Sequence, residues 1–297
     1  MTRPLSDLPS SDRPSSDLKA LDDAGSHDRF GYEWGRYAEL EPVYETQFRR
    51  WLPFFEPADW QGKTFLDLGC GMGRNSYWPM RYGAAGGLAI DLDERSLAAA
   101  RRTLAGYPAL EVRRTSAYAL DERDRFDVAF SIGVLHHLEK PALALGNMVR
   151  AVKPGGRVMI WVYGLENNRW LVHGLTPLRR LLFSRLPVGL THALSWPPTA
   201  LLWLLLRLGF TPIEYFRLIR GFGFAHLRSI VFDQMLPRIA HYWRQEEVEA
   251  LLRGAGLTDI RLSWVNEMSW AATGIRPVER EESLPPAASQ PPIRSSR

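Results

Sequence analysis

The chain has 297 residues, of which 45% are hydrophobic and 24% are charged, and its formal net charge is +4. These are ordinary values for a globular protein, and the length allows one large domain with an insertion or two small ones. Cys70 is the only cysteine, which excludes a disulfide framework and fits a reducing, cytoplasmic compartment. No Cys/His cluster has metal-ligand spacing, so we predict no metal site.

The first 28 residues are rich in Pro, Ser and Asp and contain no aromatic side chain. Such a segment cannot bury enough apolar area to fold, so we predict disorder for residues 1–28. It also lacks the apolar core of a signal peptide, and nothing in it indicates export. The tail at 277–297 has a similar composition, and we expect it to be disordered too.

A strand, a glycine turn and a helix start follow one another from residue 64. The strand at 64–68 is short and apolar, and Gly69, Gly71 and Gly73 then interrupt it at every second position. This arrangement makes a pocket in which backbone N–H groups face a ligand and the chain comes close to it. Cys70 lies inside the turn, where we expect a small space-filling residue and not a nucleophile.

A second apolar run ends at Asp91, about 20 residues beyond the turn. An acid at this distance holds a ribose diol in doubly wound sheets. A dinucleotide fingerprint needs a third glycine, but its place is taken by Arg74 when counted from Gly69 and by Ser76 when counted from Gly71. The dinucleotide pattern fails in both registers, which makes a dinucleotide-dependent oxidoreductase the least favoured alternative.

Strands and helices alternate from residue 64 to residue 162, which is typical of a parallel sheet with helices on both faces. Ligands bind such sheets at the carboxyl ends of the strands. The predicted strands are 64–68, 86–90, 109–113, 126–131 and 157–162.

The pattern Asp67-x-Gly69-x-Gly71-x-Gly73 resembles the first motif of the class I S-adenosylmethionine-dependent methyltransferases. Residues 126–138 resemble the fourth-strand motif of the branch that includes the ubiquinone and menaquinone C-methylases and related small-molecule methyltransferases. The turn at 153–157 resembles the one before the fifth strand of that family. The resemblance implies an α/β, doubly wound, mostly parallel seven-stranded sheet of the Rossmann-like methyltransferase type, with S-adenosylmethionine as cofactor.

The resemblance also implies roles for individual residues. Asp67 is expected to help orient the ammonium group of the cofactor, through water, and Asp91 to hold its ribose. The chain departs from the family at 115–117, where an Asp often accepts from the adenine amino group and where Ser116 offers a weaker acceptor. The expected cofactor-binding residues are Asp67, Gly69, Cys70, Gly71, Gly73, Asp91, Leu92, Ser116, Ala117, Ser131 and Ile132.

In the methyltransferases that this chain resembles, an N-terminal segment often folds over the cofactor as a lid. An aromatic cluster at 30–37 precedes apolar side chains at helical spacing, and core packing is its default explanation. In a lid, Tyr32 and Arg36 are the residues that we expect to face the cofactor.

Residues 165–228 break the alternation, and they contain many arginines but no lysine or aspartate. Their apolar run at 201–206 is too short for the ~20 residues that span a bilayer. We predict an inserted, mostly helical cap over the carboxyl edge of the sheet. Two interpretations stay open: a cap with its own core and a solvated arginine face, or a basic, apolar surface for a lipid-linked or anionic substrate.

A last helix and two strands follow the cap and are expected to complete the seven-stranded sheet, with the last strand antiparallel. The predicted organisation is a disordered segment at 1–28, a cofactor-binding core with its lid helix at 29–164, a cap at 165–240, a closing helix and hairpin at 241–276, and a disordered tail at 277–297.

The leaving group of a sulfonium methyl donor is neutral, so the protein needs mainly to hold a nucleophile in line with the methyl carbon. A base is needed only for an alcohol, a phenol or a carbon acid. By position, His136, His137 and Tyr163 are the catalytic candidates, although a histidine pair in an apolar motif is more often structural. Further candidates by position are Glu166, Asp233 and His241.

The sequence thus predicts an S-adenosylmethionine-dependent methyltransferase that acts on a small-molecule, lipid-like or glycan-linked acceptor. The alternative is a methyltransferase fold that binds cofactor without transferase activity. Nucleic acid is disfavoured because the basic region is interleaved with leucine more than with stacking aromatics. We expect a cytoplasmic protein, attached peripherally to the inner face of a membrane if the cap is a lipid surface, and make no prediction of its oligomeric state.

Overall fold

The computed structural model of the protein describes residues 15–36, 39–40 and 43–278. One seven-stranded sheet has the strand order β3-β2-β1-β4-β5-β7-β6, in which β7 alone runs in the opposite direction to the other strands. This confirms the predicted doubly wound, mostly parallel sheet. The strands are β1 (Thr64–Leu68), β2 (Gly86–Asp91), β3 (Leu110–Arg114), β4 (Phe126–Ile132), β5 (Val152–Tyr163), β6 (Thr258–Val265) and β7 (Ser269–Ile275).

The fifth strand begins earlier than predicted. Val152 already pairs with Phe126, and an irregularity then separates this pair from the pairing of Val128 with Arg157. The turn at 153–156 is therefore a bulged part of β5 and not a loop that precedes it. Pairing across the sheet decides this boundary, and the local turn signal does not contain that information.

Alternate residues of the central strands enter two separate cores. Leu66 and Leu88 belong to one hydrophobic cluster, while Phe65 and Ala89 belong to the other. Side chains of a strand point to opposite faces in turn, so both faces of the sheet are covered. The first cluster is closed by α6 (Pro141–Ala151) and α12 (Gln245–Gly254), and the second by α3 (Val43–Trp51), α4 (Arg74–Arg81) and α5 (Glu94–Thr103).

Two further helices precede the core, namely α1 (Ser15–Ala24) and α2 (His27–Arg36). The prediction of disorder up to residue 28 is wrong from residue 15 onwards, because Leu18 and Leu21 pack against the first hydrophobic cluster. This packing depends on the tertiary structure and not on the local composition. Residues 1–14 and 279–297 of the predicted disordered ends lie outside the described residues.

The segment between β5 and α12 is the predicted helical cap. Its own small core contains Leu206, Ile219, Phe222 and Leu227. Within the described parts of the chain, no helix is both long enough and apolar enough to cross a membrane. The cap helices are α7 (Thr176–Leu181), α8 (Val188–Leu194), α9 (Trp196–Arg207), α10 (Glu214–Ile219) and α11 (Phe224–Met235).

Candidate active site

The glycine turn lies between β1 and α4, at the carboxyl edge where the sheet changes direction between β1 and β4. Gly69, Gly71 and Gly73 have φ values of +81°, +54° and +84°, a region that residues with a side chain rarely adopt. A Cβ atom on Gly69 would also collide with the side chain of Val134. The turn therefore presents bare backbone to the space above it.

Two acids flank this turn. The Asp91 carboxylate accepts from the backbone N–H of Gly71 at 2.9 Å and from that of Leu92 at 2.8 Å. Asp67 is buried behind the turn and accepts from the hydroxyl of Ser76 at 2.6 Å. Burial raises the pKa of Asp67 to about 7, against the Ser76 hydrogen bond and with a contribution from the charge of Asp91. Two carboxyl groups thus lie below the turn, and burial makes the ionised form of Asp67 less favourable than in water.

A cavity of about 1260 Å³ extends from the turn into the cap. Asp67, Gly73, Ser116, Ser131 and His136 do not line it; Ser131, for example, donates to the Leu68 carbonyl at 3.0 Å inside the sheet. The predicted site residues that do line it are Gly69, Cys70, Gly71, Asp91, Leu92, Ala117, Ile132, His137 and Tyr163.

The sequence did not single out Asp22, which lies beside residues 115–117, where the family often has an Asp and this chain has none. The Ser116 hydroxyl donates to Asp22 Oδ1 at 2.7 Å and accepts from the backbone N–H of Tyr118 at 3.1 Å. Asp22 lines the cavity beside Ala117, and burial raises its pKa above the ordinary value. A carboxylate from α1 therefore occupies this wall, with Ser116 as its support. Asp22 was not predicted as a site residue because the segment that contains α1 was predicted to be disordered.

Helix α2 covers the turn. A Cβ atom on Gly71 would lie 3.1 Å from Nε1 of Trp34, and the guanidinium of Arg74 lies 5.0 Å from the centroid of the Trp34 ring. Tyr32, which we expected to face the cofactor, packs its ring 5.9 Å from His192 in the cap, and neither Tyr32 nor Arg36 lines the cavity. The α2 side chains that do line it are His27, Phe30, Glu33 and Trp34.

The two predicted histidines have different surroundings. His136 is fully buried, its ring centroid lies 3.8 Å from that of Tyr163, and neither ring nitrogen has a hydrogen-bond partner among the described residues. Burial lowers its pKa well below the ordinary value. His137 lines the cavity, but its Nδ1 lies 2.8 Å from the Ile239 carbonyl and burial lowers its pKa to about 3. Both rings are neutral at physiological pH, and neither is a strong base.

Tyr163 and Asp233 meet on the cap side of the cavity. The Tyr163 hydroxyl lies 3.3 Å from Asp233 Oδ2 and accepts from the amide of Gln234 at 2.9 Å. Glu166 and His241 stand elsewhere: Glu166 accepts from the Trp270 indole at 3.2 Å, and neither residue lines the cavity. Glu33, which the sequence did not single out, contributes a second carboxyl group to this wall.

Comparison with known proteins supports this site at the level of the domain. A family model described as a methyltransferase domain matches residues 66–160, which run from β1 into β5. This stretch of the chain, which contains the glycine turn, is therefore similar to a methyltransferase domain.

Curated relatives resemble only part of the chain. The ubiquinone biosynthesis O-methyltransferase of Pseudomonas paraeruginosa is 35% identical over 130 residues, which are 43% of this chain and 56% of that protein. The protein of the same name from Pseudomonas fluorescens is 34% identical over 128 residues, which are 42% of this chain and 55% of that one. The chain thus spans about half the length of the curated relatives it matches.

Solved structures share the fold at low identity. An O-methyltransferase family protein from Burkholderia thailandensis gives a TM-score of 0.53 at 15% identity, covering 89% of this chain and 63% of that one. Human N-acetylserotonin methyltransferase, in complex with SAM, gives a TM-score of 0.52 at 15% identity, covering 90% of this chain and 61% of that one. At this identity the likeness shows the fold alone.

Proposed function

We propose that the protein transfers a methyl group from S-adenosylmethionine to an apolar, lipid-like acceptor. The observation that carries this proposal is the continuity of one cavity from the glycine turn to the leucine-rich cap. Its volume of about 1260 Å³ exceeds the roughly 300–1,000 Å³ of ordinary ligand pockets, which leaves room for a cofactor and a second molecule.

The residues around the turn fit this cofactor. Asp91 still has acceptor capacity for a ribose hydroxyl beyond its backbone partners, since a carboxylate has about four lone-pair sites. Asp22 lines the cavity and can accept from an exocyclic amino group, whereas Asp67 lies behind the turn and can reach an ammonium group only through water. Arg74 stands where a dinucleotide fingerprint has its third glycine, which disfavours the oxidoreductase alternative.

The cap side of the cavity fits an apolar acceptor. Its walls are largely aliphatic and aromatic, so a bound molecule is selected by hydrophobic burial and shape and not by a set of hydrogen bonds. The cofactor supplies the methyl group. The protein holds the acceptor atom in line with that group and excludes water from the space between them. Wall residues from the cap include Leu171, Leu175, Leu182, Leu202 and Leu205.

The cavity opens through an exposed apolar surface, which we call the apolar rim. Leu178, Leu201 and Phe210 line the cavity, and they are also exposed to solvent, by 46%, 59% and 53% respectively. The three cap tryptophans are exposed as well, in positions where such rings anchor at headgroup level. The apolar rim consists of Trp170, Leu178, Leu181, Leu182, Leu190, Leu194, Trp196, Leu201, Trp203, Leu204, Leu208 and Phe210.

Exposed arginines accompany the rim, which makes an anionic bilayer its complementary partner. Arg179 is not one of them: it is 1% exposed and donates to the Gln234 carbonyl at 3.3 Å inside the cap. We propose that the rim rests on the inner face of an anionic membrane and that the acceptor enters from the lipid. The exposed arginines are Arg169, Arg180, Arg185, Arg207, Arg217 and Arg220.

Labelled methyl transfer tests the proposed function. The full-length protein is incubated with methyl-labelled S-adenosylmethionine and a total lipid extract, and the label in the organic phase is measured. We expect label in a lipid-soluble product that is absent when Gly71→Val replaces the wild type. Cofactor binding by calorimetry together with no transfer to lipid or aqueous extract would support the cofactor-binding module instead.

A further inference from the structure

We infer that the inner part of the cavity, at the carboxyl end of β5, is a subsite for a neutral, polyhydroxylated head group of the acceptor, such as a sugar or a cyclitol. This inference rests on the proposed function and names the part of the acceptor that lies beside the cofactor. The apolar cap then takes the tail, which narrows the acceptor class to lipids with a hydroxylated head. The residues of this head-group subsite all line the cavity, and they are Gln47, Trp51, Trp161, Asn168 and Gln234.

Asn168 is a buried side chain with an unpartnered oxygen. It is 2% exposed, and its amide nitrogen donates to the carbonyl oxygens of Gly164 at 2.8 Å and of Met268 at 2.7 Å. Because both of these partners are acceptors, the orientation of the amide is fixed and its nitrogen cannot exchange places with Oδ1. Oδ1 has no hydrogen-bond partner among the described residues. A ligand in the cavity that donates a hydrogen bond would provide one.

Three further side chains of the subsite share this property. Oε1 of Gln47, Oε1 of Gln234 and Nε1 of Trp161 are buried, and none of them has a partner in the described part of the chain. The Gln234 amide is also fixed, because its nitrogen donates at 2.9 Å to the Tyr163 hydroxyl, which itself donates to Asp233. Unpartnered buried polar groups are costly, and native structures keep few of them. Their concentration around one cavity indicates a polar ligand.

The subsite begins beside the glycine turn. Gln47 precedes Trp51 by four residues on α3, so the two side chains share one face of that helix. The Trp51 ring centroid lies 5.1 Å from that of Trp161, and Trp161 shares a face of β5 with Tyr163. The guanidinium of Arg74, the first residue of α4 after the turn, lies 5.4 Å from the centroid of the Trp51 ring. A head group in this place is next to the cofactor site.

The chemistry of the unpartnered atoms defines the head group. Three of them are amide oxygens, which only accept hydrogen bonds, and the fourth is an indole N–H, which only donates. An ionised phosphate or a ketone cannot satisfy the amides, because neither has a hydrogen to donate. Hydroxyl groups both donate and accept, so a ring that carries several of them can meet both needs. The Trp51 and Trp161 rings also present electron-rich faces to the weakly positive C–H groups of such a ring.

The charged side chains near the subsite are engaged with other groups of the protein. Arg50 forms an ion pair with Glu214 at 3.2 Å, and Asp233 accepts from the Tyr163 hydroxyl at 3.3 Å. The Arg74 guanidinium is packed against three aromatic rings, whose centroids lie at 4.8, 5.0 and 5.4 Å. The four unpartnered atoms belong to amide and indole groups, which carry no charge. A neutral head group therefore fits this wall better than an ionic one.

Ligands with the same tail and different heads test the subsite. The full-length protein with bound S-adenosylhomocysteine, which has no methyl group to donate, is titrated by calorimetry with octyl β-D-glucoside, 1-octanol, octyl phosphate and D-glucose. The glucoside is kept below the concentration at which it forms micelles. We expect it to bind roughly ten-fold or more tightly than octanol, because two or more additional hydrogen bonds have about that net effect.

The other two ligands test the charge of the head and the need for a tail. Glucose is expected to bind far more weakly than the glucoside, because it buries no tail in the cap. Equal affinity for the glucoside and octanol would overturn the subsite. Tighter binding of octyl phosphate than of the glucoside would overturn the neutral head, and equal affinity for glucose and the glucoside would overturn a lipid-linked one.

A substitution of similar size at Gln47 tests one wall group. Gln47→Met keeps the length of the side chain and removes its polar atoms. We expect the affinity for octyl glucoside to fall several-fold and the affinity for octanol to stay unchanged. Gln245→Met makes the same change at an exposed position outside the cavity, and this control should alter neither affinity. Equal losses for both ligands in Gln47→Met would overturn the role of Gln47 in binding the head.

Thermal unfolding separates this role from a structural one. A buried oxygen without a partner destabilises the empty protein, so we expect Gln47→Met to raise the melting temperature without ligand. The further rise on addition of the glucoside should be smaller than in the wild type. A lower melting temperature of the empty variant would mean that Gln47 makes a structural hydrogen bond, and it would contradict the inference.

Failure of the subsite and failure of the proposed function can be told apart, because these measurements require no methyl transfer. If the glucoside binds as expected but no lipid is labelled in the transfer assay, the proposed function fails and the subsite stands. If lipid is labelled but the glucoside binds no more tightly than octanol, the subsite fails and the proposed function stands.

Discussion

The glycine turn and the cap side of the cavity differ in the chemistry of their walls. Around the turn, polar groups hydrogen-bond to one another, as Gly71 N–H does to Asp91 and the Ser76 hydroxyl does to Asp67. In the cap, helix α9 buries only Thr199 and Leu206 among its 12 residues, and most of the side chains that line the cavity there are apolar. Hydrogen-bonding sites reject a ligand that lacks their partner group, whereas an apolar pocket separates ligands that differ by one methylene by only about 1–3 kcal/mol. For the proposed function, we therefore expect the cofactor side to be specific and the acceptor side to tolerate a range of chain lengths.

The largest effect is expected from a side chain in the turn. Valine at position 71 would stand at a φ of +54°, and its Cβ would lie 3.1 Å from Trp34 Nε1, in the space over the bare backbone. We expect Gly71→Val to abolish S-adenosylmethionine binding in calorimetry while the circular dichroism spectrum is retained. Gly146→Val, on α6 with no atom within 4 Å of the added Cβ, is the control. Retained binding in Gly71→Val would mean that the turn does not contact the cofactor.

A large loss is also expected when arginines of the cap are replaced, but it is a loss of membrane binding and not of cofactor binding. Each arginine near an anionic surface contributes about 1 kcal/mol, so replacing Arg180, Arg185 and Arg207 with Gln should weaken liposome binding by roughly 3 kcal/mol, more than a hundredfold. Co-sedimentation with anionic and neutral liposomes, at low and high salt, measures this binding. Binding of the wild type should be limited to anionic liposomes and lost at high salt because of screening.

Exposed arginines outside the cap provide the control for this comparison. Replacing Arg101, Arg102 and Arg123 with Gln removes the same charge from other exposed positions, and we expect it to leave liposome binding nearly unchanged. Neither triple variant should alter cofactor affinity. If the wild type ignores anionic liposomes even at low salt, the cap is a lid for a dissolved acceptor.

A smaller effect is expected from Asp91→Ala. Loss of hydrogen bonds to a charged group costs about 1.5–3 kcal/mol, and the fold should survive. Calorimetric titration with S-adenosylmethionine measures the change, and Asp121→Ala, an exposed aspartate beyond β3, is the control. An affinity equal to that of the wild type would remove Asp91 from the site.

The smallest effect is expected at the wall formed by Asp22 and Ser116. Each single substitution, Asp22→Ala or Ser116→Ala, should weaken cofactor binding by about 1 kcal/mol, the value of an ordinary hydrogen bond. Since Ser116 acts by holding Asp22, the double variant should lose less than the sum of the two. Full additivity, or no loss in Asp22→Ala, would mean that α1 is only a structural cover.

Several parts of the site were predictable because their signals are local. The three glycines and Asp91 are separated by short, fixed spacings, and the strands around them are continuous apolar runs. The structure places Gly69, Gly71 and Asp91 together on the cavity wall. The helical cap was predictable for the same reason, since its loss of alternation and its leucine runs are visible in a short window.

The partners across long sequence separations were not predictable. Asp22 and Ser116 are 94 residues apart, and Glu33 and Ser229 are 196 residues apart. Arg179 resembled its exposed neighbour Arg180 in sequence, yet it points inwards to the Gln234 carbonyl. No local pattern of charge or periodicity contains such pairings.

The sequence by itself therefore determined the class of the domain, the glycine turn and the helical character of the cap, because backbone conformation and strand patterning depend on neighbouring residues. Only the tertiary structure decided that α1 is folded and brings in Asp22, that His136 is buried behind Tyr163, and that Glu33 meets the Ser229 hydroxyl. These outcomes depend on which surfaces pack together and on the loss of water around charged groups. Both are properties of the assembled fold and not of any one segment.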